Sequence, residues 1–343
     1  MNPLLSICIP SYNKSEWLAF TANDILEQIK AFGEEVELVI SDNASEDDTQ
    51  ERLRPLKGNA QLSVHRNAEN VGANKNFFKC AELARGAFVW MIGNDDLIRE
   101  GAIKRILTEL HHSPDLEYLF VNYTKYSPPQ SPQDLSQDLP FHPTGSDDLS
   151  EYRIERIADL AGLDYNCFTP IYCSVMKREH MLKATEKGIN RAFFDTLETT
   201  VPHALYIIEN LLEKPGYYIG YPYIMASHST TWEEHAPFYV LEYLPQLYKK
   251  LEEKGVPRKI TDALRATLIK ASQQSLYFML THPQSPNRER FSFKNYCKRN
   301  AHLWAFWKTL LELSPKFIKY YTSKHFWLPK IRPTTFPQTR DEL

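Results

Sequence analysis

The run Trp90-Met91-Ile92-Gly93-Asn94-Asp95-Asp96-Leu97 sets an amide and two adjacent carboxylates at the end of a fully apolar stretch. Paired carboxylates are hard oxygen ligands, suited to Mg2+ or Mn2+ carrying a phosphate ester. The same residues also suit a plain strand-to-helix turn, because Asn and Asp favour turns and caps. Three other runs carry residues suited to a nucleotide: Ile9-Pro10-Ser11-Tyr12-Asn13-Lys14, Ile40-Ser41-Asp42-Asn43-Ala44-Ser45, and Asn70-Val71-Gly72-Ala73-Asn74-Lys75-Asn76. Asp42 can accept the N3–H of uracil or thymine, and Tyr12 offers an aromatic surface beside the base. Gly72 permits close backbone approach, and Lys75 can meet a phosphate. Taken singly, each has a structural reading as well: Asp42 in an Asx turn, Ser45 or Asp47 as a helix cap, Lys75 as a solvated helix residue.

These runs need a scaffold that brings them to one edge. Leu4 to Pro10, Val36 to Ser41, Leu62 to Arg66, Phe88 to Ile92 and Tyr118 to Tyr123 read as short apolar strands. Between them, Ser15 to Lys30, Glu46 to Leu56, Gly72 to Arg85 and Glu100 to His112 read as helices, the first with Leu18, Ile25, Leu26 and Ile29 on one stripe. Such alternation predicts an α/β fold with a mostly parallel, doubly wound sheet between helices. Ligands then gather at the strands' carboxyl ends, where all four runs fall.

Residues 127–150 interrupt the rhythm with five prolines, and a loop that long is a functional excursion or a variable insertion. After it, Leu149 to Leu160 and Phe193 to Leu212 read as helices, and Gly216 to Met225 as a turn and strand rich in Tyr. From about Phe238 the pattern is almost wholly helical. Between Arg288 and Arg332 there are eleven Lys or Arg against Glu289 and Glu312, interleaved with Phe291, Phe293, Tyr296, Trp304, Phe306, Trp307, Phe317, Tyr320, Tyr321, Phe326 and Trp327. A basic, aromatic region of this kind suits the surface of an anionic membrane, or a helical subdomain with solvated lysines.

The 343 residues allow one large domain and a smaller one, or two ordinary domains, and 43% hydrophobic with 24% charged residues describes a globular chain. A net charge of -3 argues against nucleic acid as the partner. Five cysteines without a CxxC pair fit a reduced, cytoplasmic setting. No apolar run reaches the length of a membrane span, and the start Met-Asn-Pro lacks a signal-peptide pattern.

In joint order, the segments LLSICIPSYNKSEWL, ELVISDNASEDDT and NAENVGANKNFFKCAELARGAFVWMIGNDD resemble the family 2 glycosyltransferases of the GT-A fold. The resemblance covers residues 4 to 110 well and 165 to 230 loosely, and its wording is closest to abequosyltransferase-like O-antigen enzymes. It implies that Pro10, Tyr12 and Asp42 hold the nucleoside of a sugar nucleotide, with Ser11 and Asn70 from the same runs, while Lys75 stands where the family often has Arg. It makes Asn94-Asp95-Asp96 a DXD-type site, with Asp95 the main ligand of Mn2+ or Mg2+ and Asp96 the second. Asn94 stands where many relatives have Asp, and its amide can bond a ribose hydroxyl. Some relatives have a histidine near the metal, which points to His228 in the run Ser227 to Trp232. The general base is expected between Gly188 and His203, where no Glu-Asp pair occurs; Glu198 is the first choice and Asp195 the second.

The activity so implied is inverting, metal-dependent transfer of a sugar from a nucleoside diphosphate, UDP or dTDP favoured, to a hydroxyl of a glycan or lipid-linked acceptor in surface polysaccharide synthesis. Residues 1–230 form the nucleotide-sugar-binding catalytic domain and 231–343 a helical, basic-aromatic C-terminal region. The expected location is the cytoplasm, with peripheral contact to the inner face of the cytoplasmic membrane. The alternative is a non-catalytic sugar-nucleotide or glycan-binding module on the same fold. A nucleotidyltransferase fits worse, because no Gly-rich phosphate loop follows the first strand.

Overall fold

The computed structural model describes residues 2–325 apart from 137, 138, 140, 167, 188, 190, 191 and 229–232. The expectations on Ser229 to Trp232, and on Phe326, Trp327 and the basic residues up to Arg332, lie outside the described residues. The contacts divide the chain into two compact units, Met1–Thr231 with Gln246–Thr261, and Trp232–Pro245 with Asp262–Leu343.

In the first unit, β1 (Leu5–Ser11), β2 (Val36–Asp42), β3 (Leu62–Arg66) and β4 (Phe88–Met91) pair in parallel in the order β3-β2-β1-β4. The mostly apolar runs of β1, β2 and β4 follow from burial on both faces, with β2 buried along its whole length, while β3 lies at the edge and is only partly covered. Beyond β4 lie β5 (Leu97–Ile98), β6 (Tyr118–Tyr126), β7 (Glu151–Ile154), β8 (Ser174–Lys177) and β9 (Gly216–Ser227), and the path continues β4-β8-β6-β9-β5, with β7 also on β9. The long β6–β9 ladder is parallel, and the short ladders of β8, β7 and β5 are antiparallel. Helices α1 (Ser15–Ile29), α2 (Thr49–Leu53), α3 (Ala73–Leu83) and α4 (Ala102–His112) connect the early strands. Leu18, Ile25, Leu26 and Ile29 are buried in α1 as its stripe requires. The expected α/β architecture is therefore present, with the five expected strands, β1 to β4 and β6, within three residues at either end, while β5 was not expected.

Four local expectations are corrected. Leu149 to Leu160 holds β7 and a 3-10 turn at Ile157–Gly162 in place of a helix. Strand β9 offers its backbone for pairing with residues 151–154, and Gly220 lets Ser150 approach where a Cβ would meet its carbonyl oxygen at 2.3 Å. Helix α2 starts at Thr49 and not at Glu46, because Asp47 turns its carboxylate onto the amides of Ser15 and Thr49. After α5 (Arg178–Glu186), the expected helix from Phe193 to Leu212 is divided into α6 (Leu197–Thr200) and α7 (Pro202–Asn210), since Pro202 drives Val201 out of helical geometry. Strand β9 begins at Gly216 without a turn.

The remaining helices are α8 (Ala236–Phe238), α9 (Leu244–Glu253), α10 (Arg258–Ala271), α11 (Gln273–Thr281), α12 (Phe293–Asn300) and α13 (Trp304–His325). Among the described residues no helix is long and apolar enough to cross a membrane.

Candidate active site

Strand β4 delivers the chain into the turn Gly93-Asn94-Asp95-Asp96, and β5 takes it onward against Met225 and Ile224 of β9. The turn is thus clasped between the carboxyl end of one strand and the carboxyl end of another, and both acids are buried. Asp96 accepts the Gly93 amide on Oδ2 and the Ser227 amide on Oδ1, each at 2.8 Å. Burial, and then the charge of Asp95, push its carboxyl up to about 6, while the two amides pull the other way. Gly93 leaves room for the Asp96 carboxylate: a Cβ there would stand 2.7 Å from Asp96 Oδ2.

Asp95 is held differently. Its Oδ2 lies 2.7 Å from Lys14 Nζ, and its carbonyl accepts the Tyr126 hydroxyl at 2.6 Å. Tyr126 ends β6 and its hydroxyl is pushed up by burial and then by the two acids, so it stays a donor. Asn94 donates to Ser11 Oγ at 3.0 Å, which ties the turn to the end of β1. Ser11, Lys14, Asn94, Asp95 and Asp96 therefore form one connected group, with Pro10 and Tyr12 half-buried beside it on the β1 end.

The second loop is more closed than the sequence suggested. Asp42 has no exposed surface, and it accepts the Ser45 amide at 2.9 Å, Gln50 Nε2 at 2.7 Å and Arg66 Nη1 at 2.8 Å. With about four acceptor positions on a carboxylate, little is left for a base N–H unless Gln50 or Arg66 gives way. Asn70 accepts from Asn43 and from the Gly72 amide, and so shapes the entry to α3, whose first turn presents Lys75 exposed. Buried Asn76 bonds Ser41 and Ser11 and locks α3 to the ends of β1 and β2.

A cavity of about 380 Å³ opens at the paired carboxyl ends of β6 and β9, lined among others by Lys125, Tyr126, Asp134, Leu135, Leu139 and His228. The proline-rich loop forms its wall by packing Leu135 and Leu139 on Trp17, Leu97, Tyr126 and Met225. His228 reaches this cavity, but among the described residues no three His, Cys, Asp or Glu side chains gather closely enough to hold an ion. The structure thus does not bring His228 to Asp95 and Asp96 as a third ligand. The two acids nevertheless suit Mg2+ or Mn2+, which takes one or two carboxylates and completes its shell with phosphate and water. An ammonium already stands against Asp95 as a cation.

Glu198 and Asp195 are both exposed, Glu198 in the first turn of α6 and Asp195 just before its Thr196 cap. Their setting is a capping box in which Thr196 and Thr199 exchange bonds at 3.0 and 3.3 Å. Sequence reasoning passed over Lys14, Gly93, Arg66, Tyr126 and Asp164. Lys14 and Gly93 lie within the quoted runs, and Tyr126 three residues past a recognised strand. Asp164 is buried against Tyr123 and Asn166 and pushed up to about 6 by that burial, with no pattern around it to mark it.

Residues 6–180 match a family model described as Glycosyl transferase family 2. Over 115 residues the chain is 36% identical to abequosyltransferase RfbV of Salmonella typhimurium, a stretch covering 33% of this chain and 34% of that protein. Over 148 residues it is 27% identical to a putative teichuronic acid biosynthesis glycosyltransferase, TuaG, of Bacillus subtilis, covering 43% and 57%. The matches thus span from a third to just over half of these relatives' length. Among solved structures, S. aureus TarS 1-349 in complex with UDP-GlcNAc aligns with a TM-score of 0.59 at 16% identity, over 94% of this chain and 91% of that one, a likeness of fold.

Proposed function

This chain belongs to glycosyl transferase family 2, and on that premise we propose that it moves a sugar from a nucleoside diphosphate, UDP or dTDP, to a hydroxyl of a glycan or lipid-linked acceptor, with inversion, in surface polysaccharide synthesis. The observation that carries the reading is the buried Asp95–Asp96 pair at the carboxyl end of β4, with Asp96 fastened by two amides. Mn2+ or Mg2+ held by these acids would offset charge building on the departing diphosphate. Ser11, Tyr12 and Asn94 line the nucleoside side, the Asn94 carbonyl oxygen being able to accept from a ribose hydroxyl while its NH2 holds Ser11, with Pro10, Asp42 and Asn70 shaping the loops around it. Lys75, in the first turn of α3, faces the phosphates. Glu198, or Asp195 in second place, takes the acceptor proton. Aligned substrates then react in a single in-line displacement, which inverts the anomeric carbon.

The abequosyltransferase and teichuronic acid relatives support a polysaccharide product, and the TarS complex with UDP-GlcNAc supports a uridine donor. Residues 1–230 carry the transfer. In 231–343, peripheral contact with an anionic membrane is supported by the outer stripe of α13: Trp304, Trp307 and Leu311 are 75%, 49% and 68% exposed, with exposed Lys308, Lys316 and Lys319 near them. On the same helix Phe306, Thr309 and Leu313 are buried, so α13 has apolar groups on its outer as well as its inner side.

A thermal-shift screen over nucleoside diphosphates with Mn2+ or Mg2+ tests the donor side. UDP or dTDP should raise the melting temperature in a metal-dependent way; a chain that no nucleoside diphosphate stabilises is not using this site for transfer.

A further inference from the structure

We propose that Lys14 is a resident counter-ion of Asp95 that competes with a divalent cation, and so sets how tightly the acid pair binds metal. The inference rests on the reading of Asp95 and Asp96 as the cation site. Its basis is the 2.7 Å contact between Lys14 Nζ and Asp95 Oδ2, where the lysine side chain is 31% exposed and the carboxylate side chain 9%. The ammonium comes from the solvent side and meets an otherwise buried charge.

The backbone is set to deliver it. Asn13 (φ 58) and Lys14 (φ 59, ψ 42) are consecutive non-glycine residues in the left-handed region, which L-residues adopt only when their surroundings hold them. The second loop supplies the hold: the Asn13 amide donates to Ser45 Oγ at 2.7 Å, the Glu46 amide to Asn13 Oδ1 at 3.0 Å, and the Ser15 amide to Asp47 Oδ2 at 3.0 Å. Ser45 is itself fixed by Asp42. The loop assigned to the nucleoside therefore also places the ammonium over Asp95.

Charge explains the consequence. Asp95 and Asp96 are sequence neighbours, and the Lys14 charge acts on Asp96 as well as on Asp95. Two carboxylates and one ammonium leave a net charge of minus one, so an incoming divalent ion meets a half-neutralised pair and a like charge beside it. Removing the ammonium restores the full pull of both carboxylates. A lysine that serves only to brace the turn would leave cation affinity unchanged or lower it.

The test is Mn2+ binding to the full chain without nucleotide, read by electron paramagnetic resonance of free Mn2+. Lys14→Met removes the charge at similar length, and Lys14→Gly removes it with a residue that accepts positive φ, so one variant should retain the fold if the other does not. Both should bind Mn2+ about tenfold or more tighter than wild type, roughly 1.4 kcal/mol per tenfold, while Lys14→Arg should stay near wild type. Adding Asp95→Asn to Lys14→Gly should abolish the gain. Equal or weaker binding in the folded neutral variants, no Mn2+ binding in any protein, or a gain that survives Asp95→Asn overturns the proposal. Donor turnover measured alongside reports on sugar transfer separately.

Discussion

Gly93→Ala puts the local geometry to a quantitative test. The added Cβ would lie 2.7 Å from Asp96 Oδ2 and 3.1 Å from its Cγ, and the three nearest atoms all belong to the Asp96 side chain. That carboxylate has little room to retreat, because it is buried and its other oxygen holds the Ser227 amide at 2.8 Å. Overpacking of this kind costs about 1–3 kcal/mol, which corresponds to a fall in Tm of roughly 2–10 °C. A reactive group displaced by about 1 Å loses on the order of a hundredfold in rate, so donor turnover should fall by that much. Thermal melts and initial rates give both numbers, and a double-mutant cycle with Asp96→Ala isolates the contact. With the carboxylate gone, Gly93→Ala should cost less than about 0.5 kcal/mol. The same cost in both backgrounds would refute the claim that Gly93 is there to make room for Asp96.

Burial holds the Asp164 carboxyl at about 6, above the usual value near 3.9, so the folded state binds its proton more tightly and stability is lost as pH rises from about 4 through 6. Asp164→Asn keeps an acceptor for the Asn166 amide, and the Tyr123 hydroxyl can turn to accept the new N–H. Its Tm relative to wild type should therefore improve between pH 4.5 and 7, by up to about 3 kcal/mol in stability; an offset that does not change with pH contradicts this. Glu198→Gln should lower the transfer rate by about 10²–10⁴ with donor binding intact, and Asp195→Asn by far less. Initial rates and donor titrations decide, and near wild-type turnover of Glu198→Gln would remove it as the base. Trp304→Ser with Trp307→Ser should weaken co-sedimentation with phosphatidylglycerol vesicles several-fold, more so at low salt. Wild-type protein that stays in the supernatant, or a variant that sediments equally well, refutes the membrane reading of α13.

The first half of the fold was readable because parallel strands buried on both faces leave apolar runs, as in β4 and most of β1. The acid pair was readable for the same reason, since polar residues stand out at the end of Phe88 to Met91. Partners distant in the chain were not. Lys14 and Asp95 are 81 positions apart, and no local pattern joins them. Asp42 read as an acceptor for a base N–H, yet Arg66, brought alongside by the β2–β3 ladder, helps enclose it. Leu149 to Leu160, expected as a helix, is a short strand and a 3-10 turn, because β9 supplies a pairing that the local sequence does not show. The second half depends on such pairings, through short antiparallel strands too brief to carry a period.

The claim that Asp95 and Asp96 form the cation site of a sugar transfer meets its most direct test in donor turnover. UDP-, dTDP-, GDP- and CDP-sugars are incubated with the full chain in Mn2+ or Mg2+, with and without a chelator, and release of nucleoside diphosphate is followed for wild type and Asp95→Asn. Release from a UDP- or dTDP-sugar that the chelator and the substitution both abolish is the predicted result. Turnover that survives both, or binding of these donors with no release from any of them, contradicts it.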